Sequence, residues 1–180
     1  GWADWFFSQK EFIVRHGKLH WKDEASAAPT VTFEEVDVVI RNGLRSHALR
    51  LDATPPKAWG ERFSLQGNFK QALLSLHPGR WQDWSGQAFG QFGRLDVSAL
   101  QAHLSLPDGL KLTQGTGWLR AWADIKHGAV TLVTADTDLQ NLQAQWEAKI
   151  PALSLRQLKG RWSSRLWLSL IHISEPTRRS

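Results

Sequence analysis

Cysteine is absent from the 180-residue chain, which excludes disulfide staples, thiolate zinc sites and cysteine nucleophiles together. No apolar run approaches the ~20 residues that a membrane-spanning helix needs. Methionine and tyrosine are missing as well, and the chain begins at Gly1 without a charged-then-apolar leader. The expectation is therefore an internal piece of a longer protein. Positive charge is in modest excess, at +5, but apart from Arg178-Arg179 near the end the lysines and arginines are scattered singly from Lys10 to Arg165. Without a basic stripe interleaved with aromatics, nucleic acid is not an expected partner.

What the chain has in quantity is aromatic area, with 11 tryptophans and 8 phenylalanines. Such side chains are costly to leave uncovered in water, so most are expected to pack. With 42% hydrophobic and 22% charged residues, the composition is that of a folded domain.

Locally the pattern is one of strands and turns. Residues 11–15 and 18–22 are β-rich runs about His16-Gly17, read as a small hairpin. Residues 30–41 alternate after an interruption at Glu34-Glu35, which marks a bulge and sets Val36, Val38 and Ile40 on one face. Asn42-Gly43 predicts a type I′ hairpin. The chain then returns over 45–53 with His47, Leu49, Leu51 and Ala53 on one side. Pro55-Pro56 ends that strand, and 61–69 follows with Phe63, Leu65, Gly67 and Phe69 in register. Beyond Pro78-Gly79, residues 84–92 are extended, with Gly86, Gly90 and Gly93 marking tight bends or close backbone approach.

Residues 96–104 read differently, because Val97, Leu100 and Leu104 recur at helical spacing behind a capping Asp96. After the turn at Pro107-Asp108-Gly109, segments 117–126, 129–138, 139–149 and 153–162 are extended, with His127-Gly128 turning the chain. The fold class that follows is mainly β, an antiparallel meander of about ten strands forming a curved, partly open sheet or groove with one short helix.

No arrangement for catalysis emerges. His16 and His20 would lie roughly 13 Å apart on a strand, too far to share a metal. His47, His77, His103 and His127 are isolated and read as surface or turn residues. Glu34-Glu35 and Asp23-Glu24 point to opposite sides of a strand. Asp136 and Asp138 share a side about 6–7 Å apart, a glycosidase-like separation that no second sugar-binding motif accompanies, so an exposed strand face is the expectation. Gly115-Thr-Gly117 lacks the third glycine of a dinucleotide site, and Ser85-Gly86 lacks a nucleophile elbow. No catalytic residue, metal or cofactor is expected.

The last residues, 168–180, resemble the in-frame translation of a transposase sequencing adapter and are not expected to contribute to the fold. The natural sequence would then leave this one at about Trp167. The remainder resembles the YhdP branch of the AsmA-like superfamily. The resemblance is carried by Gly17-Lys-Leu-His-Trp21-Lys-Asp23, Phe33-Glu-Glu-Val-Asp-Val-Val-Ile-Arg-Asn-Gly43 with His47-Ala-Leu-Arg-Leu51, Trp84-Ser-Gly86-Gln-Ala-Phe89-Gly90, Gly117-Trp-Leu-Arg-Ala-Trp122 and Ile150-Pro-Ala-Leu-Ser-Leu-Arg-Gln-Leu-Lys-Gly160. These are strand and turn patterns falling in the right order.

The resemblance implies repeated β-modules forming a long curved sheet with an apolar groove, anchored in the bacterial inner membrane, crossing the periplasm and moving phospholipid towards the outer membrane. Residues 1–9 would end a preceding segment and 10–167 would be the β-rich region. Expected partners are phospholipid acyl chains, neighbouring repeats of the same chain and the inner membrane through an anchor lying outside this sequence. The groove candidates are Val36, Val38, Ile40, Leu49, Leu51, Phe63, Leu65 and Phe69. The alternatives are packing of that face under a helix or second sheet, or a carbohydrate-binding β-sandwich presenting Trp21, Trp118 and Trp122. A segment of outer-membrane barrel fits less well, because the strands are uneven and tyrosine is missing.

Overall fold

Side chains that alternate polar and apolar at every second residue stabilise strands when one face finds apolar company. The computed structural model, which describes residues 1–22, 24, 27–101, 109–146 and 150–165, consists mainly of such strands. In chain order they are β1 (Glu11–Trp21), β2 (Val31–Asn42), β3 (Ser46–Thr54), β4 (Phe63–Gln71), β5 (Trp84–Asp96), β6 (Leu110–Lys126), β7 (Ala129–Trp146) and β8 (Leu153–Arg165). Helix α1 (Trp2–Ser8) precedes β1 and helix α2 (Val97–Leu100) follows β5. Each strand pairs antiparallel with the next, in the spatial order β1 to β8. The result is an up-and-down meander in one open sheet, as expected, with β1 and β8 as its two edges.

Several boundaries differ from the sequence expectation. The anticipated hairpin at His16-Gly17 is absent, and β1 runs through it. His16 takes a left-handed φ of 53° opposite Glu35 at 46°, and the register shifts there on both strands. Paired bulges bend and twist the strands without reversing them, so the bulge read at Glu34-Glu35 is present. Residues 129–149 likewise form one strand as far as Trp146, kinked at Asn141 with φ 53°. These mergers leave eight strands.

The turn after Asn42 is where the sequence puts it, but neither Asn42 nor Gly43 has positive φ. Residues 43–45 form a longer loop closed by Gly43 N–H to Ser46 O at 2.8 Å. The Asn42 side chain is engaged elsewhere, donating to Gln9 O at 2.7 Å and contacting the His47 ring. Gly86 and Gly90 lie in the regularly paired part of β5, whereas Gly93 sits where the register against β6 shifts, between Phe92 and Leu95. Gly86 is nevertheless a close approach, since a Cβ there would run into the Asn68 carbonyl oxygen.

Helix α2 begins as read, with Asp96 Oδ1 accepting from Ser98 N at 3.0 Å and Ala99 N at 3.4 Å. The rest of the anticipated helix, 102–104, lies outside the described residues, as do His103 and the adapter-like tail. Helix α1 is an addition that the alternation pattern gave no reason to expect.

The sheet has no second layer against it among the described residues. Buried apolar side chains are confined to Val31, Val36, Ile40, Ala53, Trp84, Val97 and Leu142, and no large side chain is fully enclosed. A domain normally buries its apolar sheet face against another layer. Here that face is covered only at its two ends.

Candidate functional site

Residues directly opposite one another on paired strands share a face, so the register traces one face through all eight strands. Val38 pairs with Leu51 and Ile40 with Leu49. Leu51 pairs with Leu65, Ala53 with Phe63 and His47 with Phe69. The same face continues through Gly90, Ala88 and Gly86, then Ala121, Ala123 and Ile125, then Ala135 and Val133, and ends on Trp162 and Leu158. On the β1 side it takes in Val14 and Phe12.

All eight groove candidates, Val36, Val38, Ile40, Leu49, Leu51, Phe63, Leu65 and Phe69, fall on this face. Val36 and Ile40 are buried, Leu65 is 38% exposed, and the others are half-buried. The opposite face carries Glu11 with Arg41, Arg50 with Asp52, Arg62 with Asp37, and Arg161 with Asp136 as ion pairs. The ion pairs are thus gathered on one side of the sheet, although that side also carries Ile13, Val39, Phe89, Trp118 and Trp122.

Seven inter-strand spacings of ~4.8 Å give the apolar face a length of roughly 34 Å across the strands. Its floor changes along that length. Valine, isoleucine, leucine and phenylalanine line β2 to β4, whereas glycine and alanine dominate β5 to β7. Neighbouring side chains lean over the gaps, because a Cβ on Gly67 would meet the Phe69 ring and one on Gly90 would meet Leu65 and Phe92.

Two rims bound this trough at the strand ends. At one, α1 places Phe6 edge-on to Phe12 at 4.7 Å and Phe7 edge-on to Trp84 at 4.8 Å. At the other, Trp59 stands edge-on to Phe33 at 5.9 Å, and its loop is bonded to β5 through Asp96 N–H to Trp59 O at 2.7 Å.

His47 is the polar exception. Expected as a surface or turn residue, it is instead 2% exposed, stacked on Trp84 at 4.2 Å and edge-on to Phe7 at 5.5 Å. Its Nδ1 lies 2.7 Å from Asn42 Oδ1, while Nε2 has no partner. Burial pushes its pKa below the ordinary imidazole value. The position follows from the strand register, since 47, 49 and 51 share a face, and α1 then closes over it.

The remaining polar groups are accounted for by ordinary contacts. His16 lies against Glu35 at 2.6 Å, which raises its pKa, and His20 contacts Thr32. Asp136 accepts two bonds from Arg161, which lowers its pKa, while Asp138 accepts from Gln157. No group of three potential metal ligands occurs among the described residues. The tryptophans of the sugar-platform alternative are divided. Trp21 pairs with Val31 on the trough side, whereas Trp118 and Trp122 are on the charged side beneath Arg120 and Arg161.

Sequence reasoning missed the β5 to β8 half of the trough. The signal was present in β5, where Trp84, Gly86, Ala88, Gly90 and Phe92 alternate with Ser85, Gln87, Phe89 and Gln91, but glycine and alanine register weakly as apolar positions.

No helix among the described residues is long and apolar enough to cross a membrane. No curated protein and no solved structure matches the chain. The profile of the family described as YhdP protein matches residues 1–166. With that match covering nearly all of its length, the chain belongs to the YhdP protein family.

Proposed function

We propose that this chain is a non-enzymatic stretch of a bacterial cell-envelope protein whose trough holds phospholipid acyl chains and lets them slide between inner and outer membrane. The observation that carries the reading is the mainly apolar face that crosses all eight strands and is covered only at its two ends among the described residues. Exposing an acyl chain of ~15 methylenes to water costs on the order of 12 kcal/mol at ~0.8 kcal/mol per methylene. A trough roughly 34 Å long accommodates such a chain and offsets most of that cost without any catalytic group.

Membership of the YhdP family supports an envelope setting. In this reading the chain continues into neighbouring β-repeats that extend the trough from both sheet edges, and its inner-membrane anchor lies elsewhere in the longer protein. The eight candidates from Val36 to Phe69 form the bulky-walled half, and β5 to β8 the shallower half.

The test is native mass spectrometry of the purified chain with lipid extraction. Phospholipid should co-purify, and Val38→Asp together with Leu51→Asp should reduce it at least several-fold with the β-sheet circular dichroism intact. A folded wild-type chain that stays lipid-free even after incubation with liposomes contradicts the proposal.

A further inference from the structure

The rim that carries α1 has a second property, independent of what the trough holds. It is built from the β2–β3 loop (43–45), the β4–β5 connection (72–83), the β6–β7 turn and α1. These are tied together by Gln71 N–H donating to Arg45 O at 2.9 Å and Gly128 N–H to Trp84 O at 2.8 Å, and by Gly79 N–H donating to Asp4 Oδ1 at 3.0 Å. The five most exposed large apolar side chains among the described residues all lie on it: Leu44 at 102%, Leu74 at 93%, Leu76 at 88%, Trp2 at 81% and Leu73 at 80%. A lone exposed leucine needs no explanation, but five such side chains gathered on one rim mark a contact surface.

The surrounding charge identifies the contact. Lys10, Arg45, Lys70 and Lys126 sit on the same rim, beside Arg80, which is paired with Asp83. Its carboxylates are engaged internally, Asp4 by the N-terminal amine and Gly79, and Asp83 by Ser75 and Arg80. Projecting leucines and tryptophan within a positive collar match the interface of an anionic bilayer, where apolar tips enter the acyl boundary and cations meet phosphates. A protein partner would have to supply both an apolar pocket and a separate acidic ring.

We infer that this rim is a membrane-docking lip, which inserts Leu44, Leu73, Leu74 and Leu76 into the surface of an anionic phospholipid bilayer.

The chain contains no cysteine, so a single Leu74→Cys variant of the full chain can carry an environment-sensitive nitrobenzoxadiazole label. Vesicles rich in phosphatidylglycerol should brighten and blue-shift it, with an apparent affinity about tenfold or more above that for pure phosphatidylcholine, because cations are drawn to an anionic surface. A label at Lys57→Cys on the opposite rim should not respond, and adding Val38→Asp in the trough should leave the response at 74 unchanged. Three results overturn the inference: no change at 74 with phosphatidylglycerol vesicles, an equal change at 57, or a blue-shifted signal without vesicles that grows with protein concentration. The last would assign the rim to contact between copies of the chain.

Discussion

His47 occupies a position that the alternation reserves for an apolar side chain, and its surroundings treat it as one. The ring is 2% exposed, sandwiched by Trp84 and Phe7, and its Nε2 has no hydrogen-bond partner. Burial lowers its folded pKa below the unfolded value of ~6.5. The unfolded chain therefore binds the proton more readily, so stability falls as pH drops below ~6.5 towards the folded pKa. His16 has the opposite sign, being raised by Glu35, but it is solvent-exposed and screened. Thermal unfolding followed by circular dichroism should give a lower Tm at pH 5.5 than at pH 7.5, and His47→Phe should flatten that difference. An unchanged slope in the variant would place the acid sensitivity elsewhere. The face of residue 47 was legible from its spacing to Leu49 and Leu51, whereas its burial was not, because the covering residue, Phe7, lies 40 positions away on α1.

At the scale of elements, what the sequence made legible was what local chemistry decides. The interruption at Glu34-Glu35 is a bulge, and Asp96 caps α2. What it left illegible depends on partners. His16-Gly17 looks like a turn in isolation and the pattern breaks between residues 138 and 139, yet the neighbouring strands keep pairing across both places, so β1 and β7 remain continuous. Helix α1 shows no long amphipathic pattern in its seven residues and is held instead by Phe6, Phe7 and Asp4 against the sheet and the β4–β5 connection. Its anchor is Phe7, which is half-buried. Phe7→Ala should therefore cost about 1–2 kcal/mol, less than the ~3–5 kcal/mol of a fully buried phenylalanine. At roughly 2–4 °C per kcal/mol for a domain of this size, the Tm should fall by several degrees. A Tm unchanged within error would mean that α1 does not close this end of the trough.

At the scale of the whole molecule, the sheet stays single-layered because its two faces are assigned to different surroundings. Ion pairs such as Glu11 with Arg41 and Asp136 with Arg161 are directly opposed cross-strand partners, and they help hold the edge strands in register on the wet side. The other side gathers apolar residues from every strand and, unlike the inner face of a sandwich, meets no second sheet among the described residues. An acyl chain along that face would replace the missing layer. The most direct measurement is photo-crosslinking along one strand, with benzoylphenylalanine placed singly at positions 48, 49, 50 and 51 of β3 in the presence of fluorescent phospholipid. The account predicts labelling at 49 and 51 and little at 48 and 50, following the two-residue period of the trough face. Equal labelling at all four positions, or none at any, would contradict it.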